Sequence, residues 1–167
     1  MVNVEALYRR YAGDVYRFAC WLGNEPAEAE DIVSETFLLA WTSDQPLRVA
    51  TVKGYLFTIA RHVYLKRLQR AKRYAPMDAA PQGQTDAAPG PDVRAEQSDE
   101  LAAAMKAMQA LSEVERSALL LRAQHDLPYD EIARSPNISF SLAKVTVHRA
   151  RVKLAAYRAA PDGRRFP

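Results

Sequence analysis

Apolar positions recur at helical spacing along most of this 167-residue chain. Near the amino terminus Leu7, Tyr11, Val15, Phe18 and Leu22 follow one another at intervals of three or four residues, which predicts an amphipathic helix. Residues 26–41 and 54–74 carry two further stripes of the same period. The first half of the chain is therefore expected to fold as three helices.

The second half predicts four shorter helices, at residues 101–111, 113–124, 128–134 and 140–159. Ser112 and Glu115 have the spacing of a capping box, and Ser139 is placed to cap the last helix. A short helix, a turn at residues 135–137 and a longer basic helix together form the pattern of a helix-turn-helix.

Residues 75–97 differ from the sequence on either side, because they are rich in proline, alanine and aspartate and nearly devoid of large aliphatic side chains. Such a segment cannot bury a core and is typical of a linker. We therefore predict an all-α protein of two small helical domains, residues 1–74 and 98–160, joined by a flexible linker at 75–97 and followed by a tail at 161–167.

The charges are segregated along the chain, although the formal net charge is only +3. Residues 25–44 contain acidic side chains and no basic ones, whereas residues 45–77 contain basic side chains and no acidic ones. Such segregation indicates two different partners, one of them polyanionic. Cys20 is the only cysteine, so no intrachain disulfide can form.

Neither a metal site nor a cofactor is expected, because the histidines are widely separated in sequence and no ligand cluster is visible. The amino terminus lacks the pattern of a signal peptide, and no apolar run approaches the roughly 20 residues that span a bilayer. We expect a cytoplasmic protein that does not insert into membranes.

The last helix predicts a DNA-contacting face. Ala143, Val147 and Ala150 share one side of this helix and should face the core. The opposite side then carries residues that suit a major groove: Ser141, Lys144, Val145, His148, Arg149 and Val152. Arg151 and Lys153 flank this face and suit the backbone phosphates. The alternative is a solvated basic helix without a nucleic-acid role.

The third helix carries a second basic stripe, formed by His62, Lys66, Arg70 and Arg73. Since no acidic residue lies nearby in the sequence, a phosphate backbone is the natural counter-charge. Aromatic residues lie between these positions, and they either stack on unpaired bases or pack in the core: Tyr55, Phe57, Tyr64 and Tyr74.

The second helix has an acidic outer face of Glu28, Asp31 and Glu35, with Leu38 next in line. A charged stripe of this kind is often only a solvated surface. The neighbouring leucines favour a contact with another protein instead.

Four stretches of this sequence resemble the extracytoplasmic-function sigma factors of bacterial RNA polymerase. Residues 29–41 (AEDIVSETFLLAW) are similar to the family's polymerase-binding segment, and residues 55–62 (YLFTIARH) to its W-L-x-x-I-A-R-N. Residues 130–133 and 138–151 align with its helix-turn-helix. The chain departs from the family pattern at these positions: Ser34, Tyr55, His62, Lys66, Pro136, Asn137, Ser141, Leu142, Ala143, Val145, Thr146 and Val147. Changes at Lys66, His62, Val145 and Thr146 are expected to alter promoter preference.

The resemblance implies a sigma factor that binds core RNA polymerase, recognises promoter DNA and melts it, and that an anti-sigma factor holds inactive. It assigns polymerase binding to Glu28, Asp31, Ser34, Glu35 and Leu38. It assigns the minus-ten element, with an unpaired base captured by residues 45–53 and the following helix, to Lys53, Tyr55, Arg61, His62, Lys66, Arg70 and Arg73. It assigns the minus-thirty-five element to the outward residues of the last helix.

Two other classes of function compete with this interpretation. A self-sufficient dimeric helix-turn-helix regulator would explain the second half but not the acidic and basic helices of the first. An enzyme would need a nucleophile–base pair or a ligand cluster. Only His125 and Asp126 come close to one, and they are expected in a solvated turn, so we expect no enzymatic activity.

Overall fold

The computed structural model describes residues 3–23, 25–44, 51–74 and 93–159, and all of the regular secondary structure in these ranges is helical. The helices are α1 (Val4–Gly23), α2 (Pro26–Thr42), α3 (Val52–Tyr74), α4 (Val93–Gln109), α5 (Glu113–Ala123), α6 (Tyr129–Arg134) and α7 (Phe140–Ala159). Helices α1–α3 form one bundle and α4–α7 a second, which confirms the predicted all-α fold of two small helical domains.

The first bundle forms because three amphipathic helices share one apolar interior. Phe18 and Leu22 of α1, Ile32 of α2 and Leu56 and Phe57 of α3 are at most 1% exposed. Full burial of each such side chain contributes about 1.5–3 kcal/mol. The side chain of Asn3 accepts a hydrogen bond from the amide of Ala6 at the start of α1, and Pro26 occupies the first turn of α2.

In the second bundle, the predicted capping box is present. Ser112 Oγ accepts a hydrogen bond from the Glu115 amide at 3.2 Å, and Glu115 Oε2 accepts one from the Ser112 amide at 3.0 Å. Ser139 likewise caps α7, because its Oγ accepts a hydrogen bond from the amide of Leu142 at 3.1 Å. These side chains satisfy amides that a helix start leaves without partners.

The turn between α6 and α7 contains Asn137 in a left-handed conformation, with φ of 53°. The amides of Asn137 and Ile138 donate back to the carbonyls of Arg134 and Ala133, which closes the end of α6. Asparagine tolerates this conformation better than other side chains with a Cβ. It can therefore take the place that glycine commonly has at the end of a helix.

The two bundles pack against each other, although the sequence predicts two domains joined by a flexible linker. Helix α1 contacts α4 and α5, and α3 contacts α6, so that the buried side chains of both bundles form one continuous cluster. Gln109 Nε2 lies 3.4 Å from the carbonyl oxygens of Trp21 and Leu22 and so caps the last turn of α1 from the other bundle.

Two helix boundaries and the burial of one side chain differ from the predictions. Helix α3 begins at Val52, two residues before the predicted start at Gly54, and α4 begins at Val93, inside the predicted linker. Trp41, expected in the apolar stripe of α2, is 70% exposed because it lies beyond the packed part of the bundle. The remaining predicted linker (75–92), the tail and residues 45–50 lie outside the described residues.

Candidate nucleic-acid and polymerase interfaces

Helix α7 is oriented as its sequence predicts. Ala143, Val147 and Ala150 are completely buried, and the face opposite them is exposed. All the predicted minus-thirty-five residues lie on the exposed part of the helix: Ser141, Lys144, Val145, His148, Arg149 and Arg151. The helix contains no acidic residue, so this face carries unbalanced positive charge.

Two residues of α7 differ from their expected roles. Thr146, expected to influence promoter preference, is 7% exposed, and its hydroxyl donates to the carbonyl of Leu142 at 2.7 Å. Lys153 donates to Glu115 at 2.7 Å. Burial alone would raise the pKa of Glu115, but hydrogen bonds from Lys153 and Ser112 lower that pKa overall. This pair fastens α7 to the start of α5.

Aromatic rings hold the start of α7 against α6. Tyr129 and Phe140 meet edge to face with ring centroids 6.1 Å apart. Lys144 Nζ lies 5.4 Å from the centroid of the Phe140 ring, and the Arg122 guanidinium lies 4.8 Å from that of Tyr129. These cation–π contacts restrict Lys144 without neutralising its charge, so it stays available to an anion.

The carboxyl-terminal half of α3 presents the predicted basic stripe. His62, Lys66, Arg70 and Arg73 are all exposed, and Tyr74 beyond them is 83% exposed. The aromatic residues along α3 differ in burial. Phe57 and Tyr64 are buried in the core, and burial raises the pKa of the Tyr64 hydroxyl.

The amino-terminal half of α3 is covered by the second bundle, and Arg61, which the resemblance assigns to the minus-ten element, is buried there. The Arg61 side chain is 8% exposed, and its Nε and Nη2 donate to the two carboxylate oxygens of Glu113 at 2.6 and 2.7 Å. Its Nη1 donates to the carbonyl of Ser135 at 3.2 Å. Lys53, half-buried, donates to the carbonyl of His125 at 3.3 Å. Both cations are therefore engaged inside the protein.

His125 fills the space between the bundles, contrary to its expected place in a solvated turn. Its ring lies 4.3 Å from that of Phe57 and 6.3 Å from that of Phe18, measured between centroids. Burial, reinforced by the nearby charge of Lys53, lowers the pKa of His125 to about 4. The neighbouring Asp126 is exposed at 95% of its side chain, so the two residues form no catalytic pair.

The start of α3 also lies close to the Glu131 side chain of α6. Thr51 Oγ1 donates to Glu131 Oε2 of α6 at 2.8 Å and accepts from the Gly54 amide at 3.1 Å. A Cβ at position 54 would lie 2.8 Å from Glu131 Oε2. An alanine here would require the Glu131 carboxylate to shift, because that carboxylate approaches the helix so closely.

The acidic face of α2 is partly neutralised by Arg67 of α3, for which the sequence predicted no role. Arg67 of α3 lies 3.0 Å from Asp31, 3.5 Å from Glu35 and 3.6 Å from Glu28. Asp31 remains 66% exposed, and Leu38 is 55% exposed beside exposed Ser34. Nothing in the sequence marks Arg67, because the pairing arises only when α2 and α3 pack side by side.

A cavity of about 620 Å³ lies between the end of α2 and the middle of α3. Its lining includes Leu39 and Thr42 of α2 and Tyr55, His62 and Lys66 of α3. It thus joins an apolar wall, an aromatic ring and the first residues of the basic stripe. Its volume falls in the range of ordinary ligand pockets.

Family models match the two bundles separately. Residues 7–74 match Sigma-70 region 2, and residues 101–154 match Sigma-70, region 4. These regions, in this order and with an exposed basic helix in each, define a sigma factor of the sigma-70 class.

Comparison with individual relatives identifies the group of sigma factors that this chain resembles. The chain is 30% identical over 163 residues to the ECF RNA polymerase sigma factor SigE of Mycolicibacterium smegmatis, a match that covers 95% of this chain and 63% of that protein. It is 28% identical over 157 residues to the ECF RNA polymerase sigma factor SigM of Bacillus subtilis, covering 93% and 94%. The chain therefore spans less than two thirds of the SigE relative and nearly all of SigM. It belongs to the extracytoplasmic-function sigma factors.

Two solved structures share the fold. The sigma factor RpoE from Bartonella quintana, in complex with the anti-sigma factor NepR, gives a TM-score of 0.74 at 23% identity and covers 94% of this chain and 97% of that chain. CnrH, in complex with the cytosolic domain of CnrY, gives 0.66 at 21% identity and covers 95% and 89%. Among the described residues, no helix is long and apolar enough to cross a membrane, and no cluster of potential metal ligands occurs.

Proposed function

We propose that this protein binds core RNA polymerase and directs it to promoters, where α7 recognises the minus-thirty-five element and α3 the minus-ten element. The observation that carries this proposal is the pair of exposed basic faces, one in each matched sigma region. Neither face has an acidic partner among the described residues, so each favours a polyanion. The protein acts by binding rather than by catalysis, in the cytoplasm where transcription takes place.

Polymerase would bind the outer face of α2. Asp31 and Leu38 are exposed there and lie beside Ser34, so an anionic group and an apolar group are offered together. Glu28 and Glu35 flank them but share Arg67, which holds their side chains in place. A basic, partly apolar surface on the polymerase would complement this combination.

The cavity between α2 and α3 is suited to an unpaired base of the minus-ten element. Tyr55 offers a ring for stacking, and His62 and Lys66 offer hydrogen-bond donors at its rim. Unstacking a base costs a few kcal/mol, and contacts in such a pocket offset that cost. Binding energy would thereby drive strand opening, with Arg70 and Arg73 holding the backbone further along α3.

The packed arrangement of the bundles is a closed form in which minus-ten binding is incomplete. Lys53 and Arg61 are held by His125, Ser135 and Glu113, so neither can reach DNA. We infer that the bundles separate when polymerase fixes their spacing on a promoter. Free protein should then bind promoter DNA weakly and with strong salt sensitivity, and polymerase should create specificity.

An anti-sigma factor is the expected regulator. Two proteins of this fold, RpoE and CnrH, were solved with the anti-sigma factor NepR and with CnrY, respectively. A partner that keeps α1–α3 and α4–α7 together would keep Lys53 and Arg61 engaged. Such a partner would stabilise the closed form rather than create a new one.

Run-off transcription with core polymerase tests the proposal. Adding this protein to core enzyme and genomic DNA fragments should yield discrete transcripts whose start sites share two upstream elements. A gel-shift with protein alone provides the comparison and should show weak binding. The competing idea of a self-sufficient dimeric regulator predicts a stable dimer that binds a palindromic site tightly without polymerase, and that result would refute our proposal.

A further inference from the structure

The centre of the outward face of α7 is apolar. Val145 is 41% exposed and lies nearly opposite the buried Val147 on the helix circumference, and Val152 follows two turns later at 54% exposure. Leu142 beside them is 43% exposed. Phosphate binding does not use such side chains, so the apolar positions need a different explanation.

The surroundings of Val145 are cationic. Lys144 and Arg149 flank it and His148 follows one turn on, all three exposed, while Lys153 is neutralised by Glu115. Because α7 has no acidic side chain, an apolar protein surface that covered this face would also bury unbalanced positive charge, which is costly. Duplex DNA supplies both the counter-charge and, in its major groove, one kind of apolar group.

We propose that Val145 identifies a thymine in the minus-thirty-five element through the C5-methyl group of that base. Thymine alone among the four bases presents a methyl group in the major groove. Val145 lies in the second turn of α7, and the amino-terminal residues of a recognition helix are the ones that reach base edges. This inference rests on the proposed function and adds the base and the residue that recognises it.

The contact between Val145 and the methyl group would discriminate by burial rather than by hydrogen bonding. Valine has no donor or acceptor, so cytosine at that position would lose the methyl contact and leave its amino group without a partner. Lys144 and Arg149 would hold the phosphates on either side and fix the depth of the helix in the groove. The methyl contact alone should be worth about three- to fourfold in affinity, the effect of burying one methyl-sized group.

Deoxyuridine substitution tests the contact, because it removes the thymine methyl and nothing else. The minus-thirty-five sequence is first selected from a duplex pool randomised over that element, with core polymerase and the full chain. Each selected thymine is then replaced singly by deoxyuridine, and affinity is measured by competition. One position should lose about three- to fourfold with the unaltered protein. The variant Val145→Ala should bind the two duplexes equally well.

Val152→Ala is the matched control, since it removes the same atoms from an exposed valine on the same face. It should leave the deoxyuridine effect intact. If no substituted duplex binds more weakly, or if Val145→Ala retains the loss, the assignment is wrong while the proposed function stands. If Val145→Ala instead weakens only an anti-sigma complex, this face is a protein contact. A selection that returns no sequence at all refutes the proposed function itself.

Discussion

Helices α3 and α7 are both long, basic and amphipathic, but they present their cations in different ways. On α7 the six predicted DNA-contacting residues are exposed, and among the described residues Lys153 is the one cation of this helix that forms an ion pair. On α3 the stripe from His62 to Arg73 is exposed, whereas Arg61 is buried against Glu113 and Arg67 is shared among three carboxylates of α2. The proposed minus-thirty-five face is therefore fully exposed, whereas part of the proposed minus-ten face is engaged inside the protein.

The difference shows that position in the fold decides what a basic residue does. Arg61 and Arg70 lie on the same helix and carry the same group, yet one joins two bundles and the other faces solvent. An arginine pairs with a carboxylate that packing places beside it. Only an arginine without such a partner can bind a phosphate. Four experiments test whether position in the fold determines which of these basic side chains can bind DNA.

The largest effect is expected from Glu113→Gln. Arg61 would stay buried without its counter-charge, which costs about 3 kcal/mol when one partner of a buried pair is removed. Opening the bundles relieves that cost, so the radius of gyration measured by small-angle scattering should increase. The free variant should also bind promoter DNA more tightly than the unaltered protein.

Asp126→Asn is the control for Glu113→Gln, because it removes the same charge from a carboxyl that is 95% exposed. It should change neither the radius of gyration nor DNA binding. An unchanged radius for Glu113→Gln would show that the ion pair does not hold the bundles together.

The next effect is a pH dependence set by His125. In the closed form burial, and then Lys53 and Arg17, lower the pKa of His125 to about 4, against the opposing effect of Asp14; in an opened, solvated form the pKa returns towards its ordinary value of 6.5. The open form therefore binds the proton more readily. The closed form keeps its full stability above pH 6.5 and loses it progressively as the pH falls towards about 4.

Small-angle scattering between about pH 7 and pH 5 should show the unaltered chain expanding on acidification. His125→Phe retains an aromatic ring beside Phe18 and Phe57 without a titrating group, and it should remain compact over the same interval. Identical profiles for the two proteins would exclude His125 as the origin of the expansion.

Arg149→Ala should weaken promoter binding by the holoenzyme about tenfold, the typical loss for one basic side chain that contacts a base or its phosphate. Arg149 is exposed, so the fold should be unaffected. Lys106→Ala on α4 removes another exposed cation, one that is not part of α7, and should have little effect. Co-purification with core polymerase should be the same for all three proteins. An Arg149→Ala promoter affinity equal to that of the control would remove this residue from the interface.

The smallest effect is expected from Gly54→Ala, measured by thermal unfolding. Alanine favours a helix over glycine by about 0.8–1 kcal/mol, but its Cβ would lie 2.8 Å from Glu131 Oε2. In the closed form the collision should outweigh the helical gain by about 1 kcal/mol. In a Glu113→Gln background, where the bundles are apart, the same change should stabilise the protein.

Gly13→Ala is the matched control for position 54. It adds a Cβ to a glycine within α1 whose nearest neighbour is Arg17 Nη1 at 3.8 Å, so it should stabilise both backgrounds alike. If Gly54→Ala behaves in the same way as Gly13→Ala, the close approach of α6 to α3 does not exist in solution.

The helix ranges, the helix caps and the buried face of α7 could be predicted from the amino-acid sequence alone. Helical periodicity predicted α2 and α7 to within one residue, and the caps at Ser112 and Ser139 form as expected. The buried and exposed faces of α7 also followed from spacing alone. All of these depend on neighbours within about four positions along the chain, which a sequence displays directly.

Which charged side chains can still bind an external partner depends on tertiary packing and could not be predicted from the sequence. Glu113 and Arg61 are 52 positions apart, and Glu131 and Thr51 are 80 apart, so their proximity depends on how two bundles dock. The same docking placed His125 beside Phe18 and Phe57, and the packing of α3 on α2 paired Arg67 with the carboxylates of α2. Each cation was visible in the sequence, but its partner was not, because electrostatic pairing depends on distance in space and periodicity reports only position along a helix.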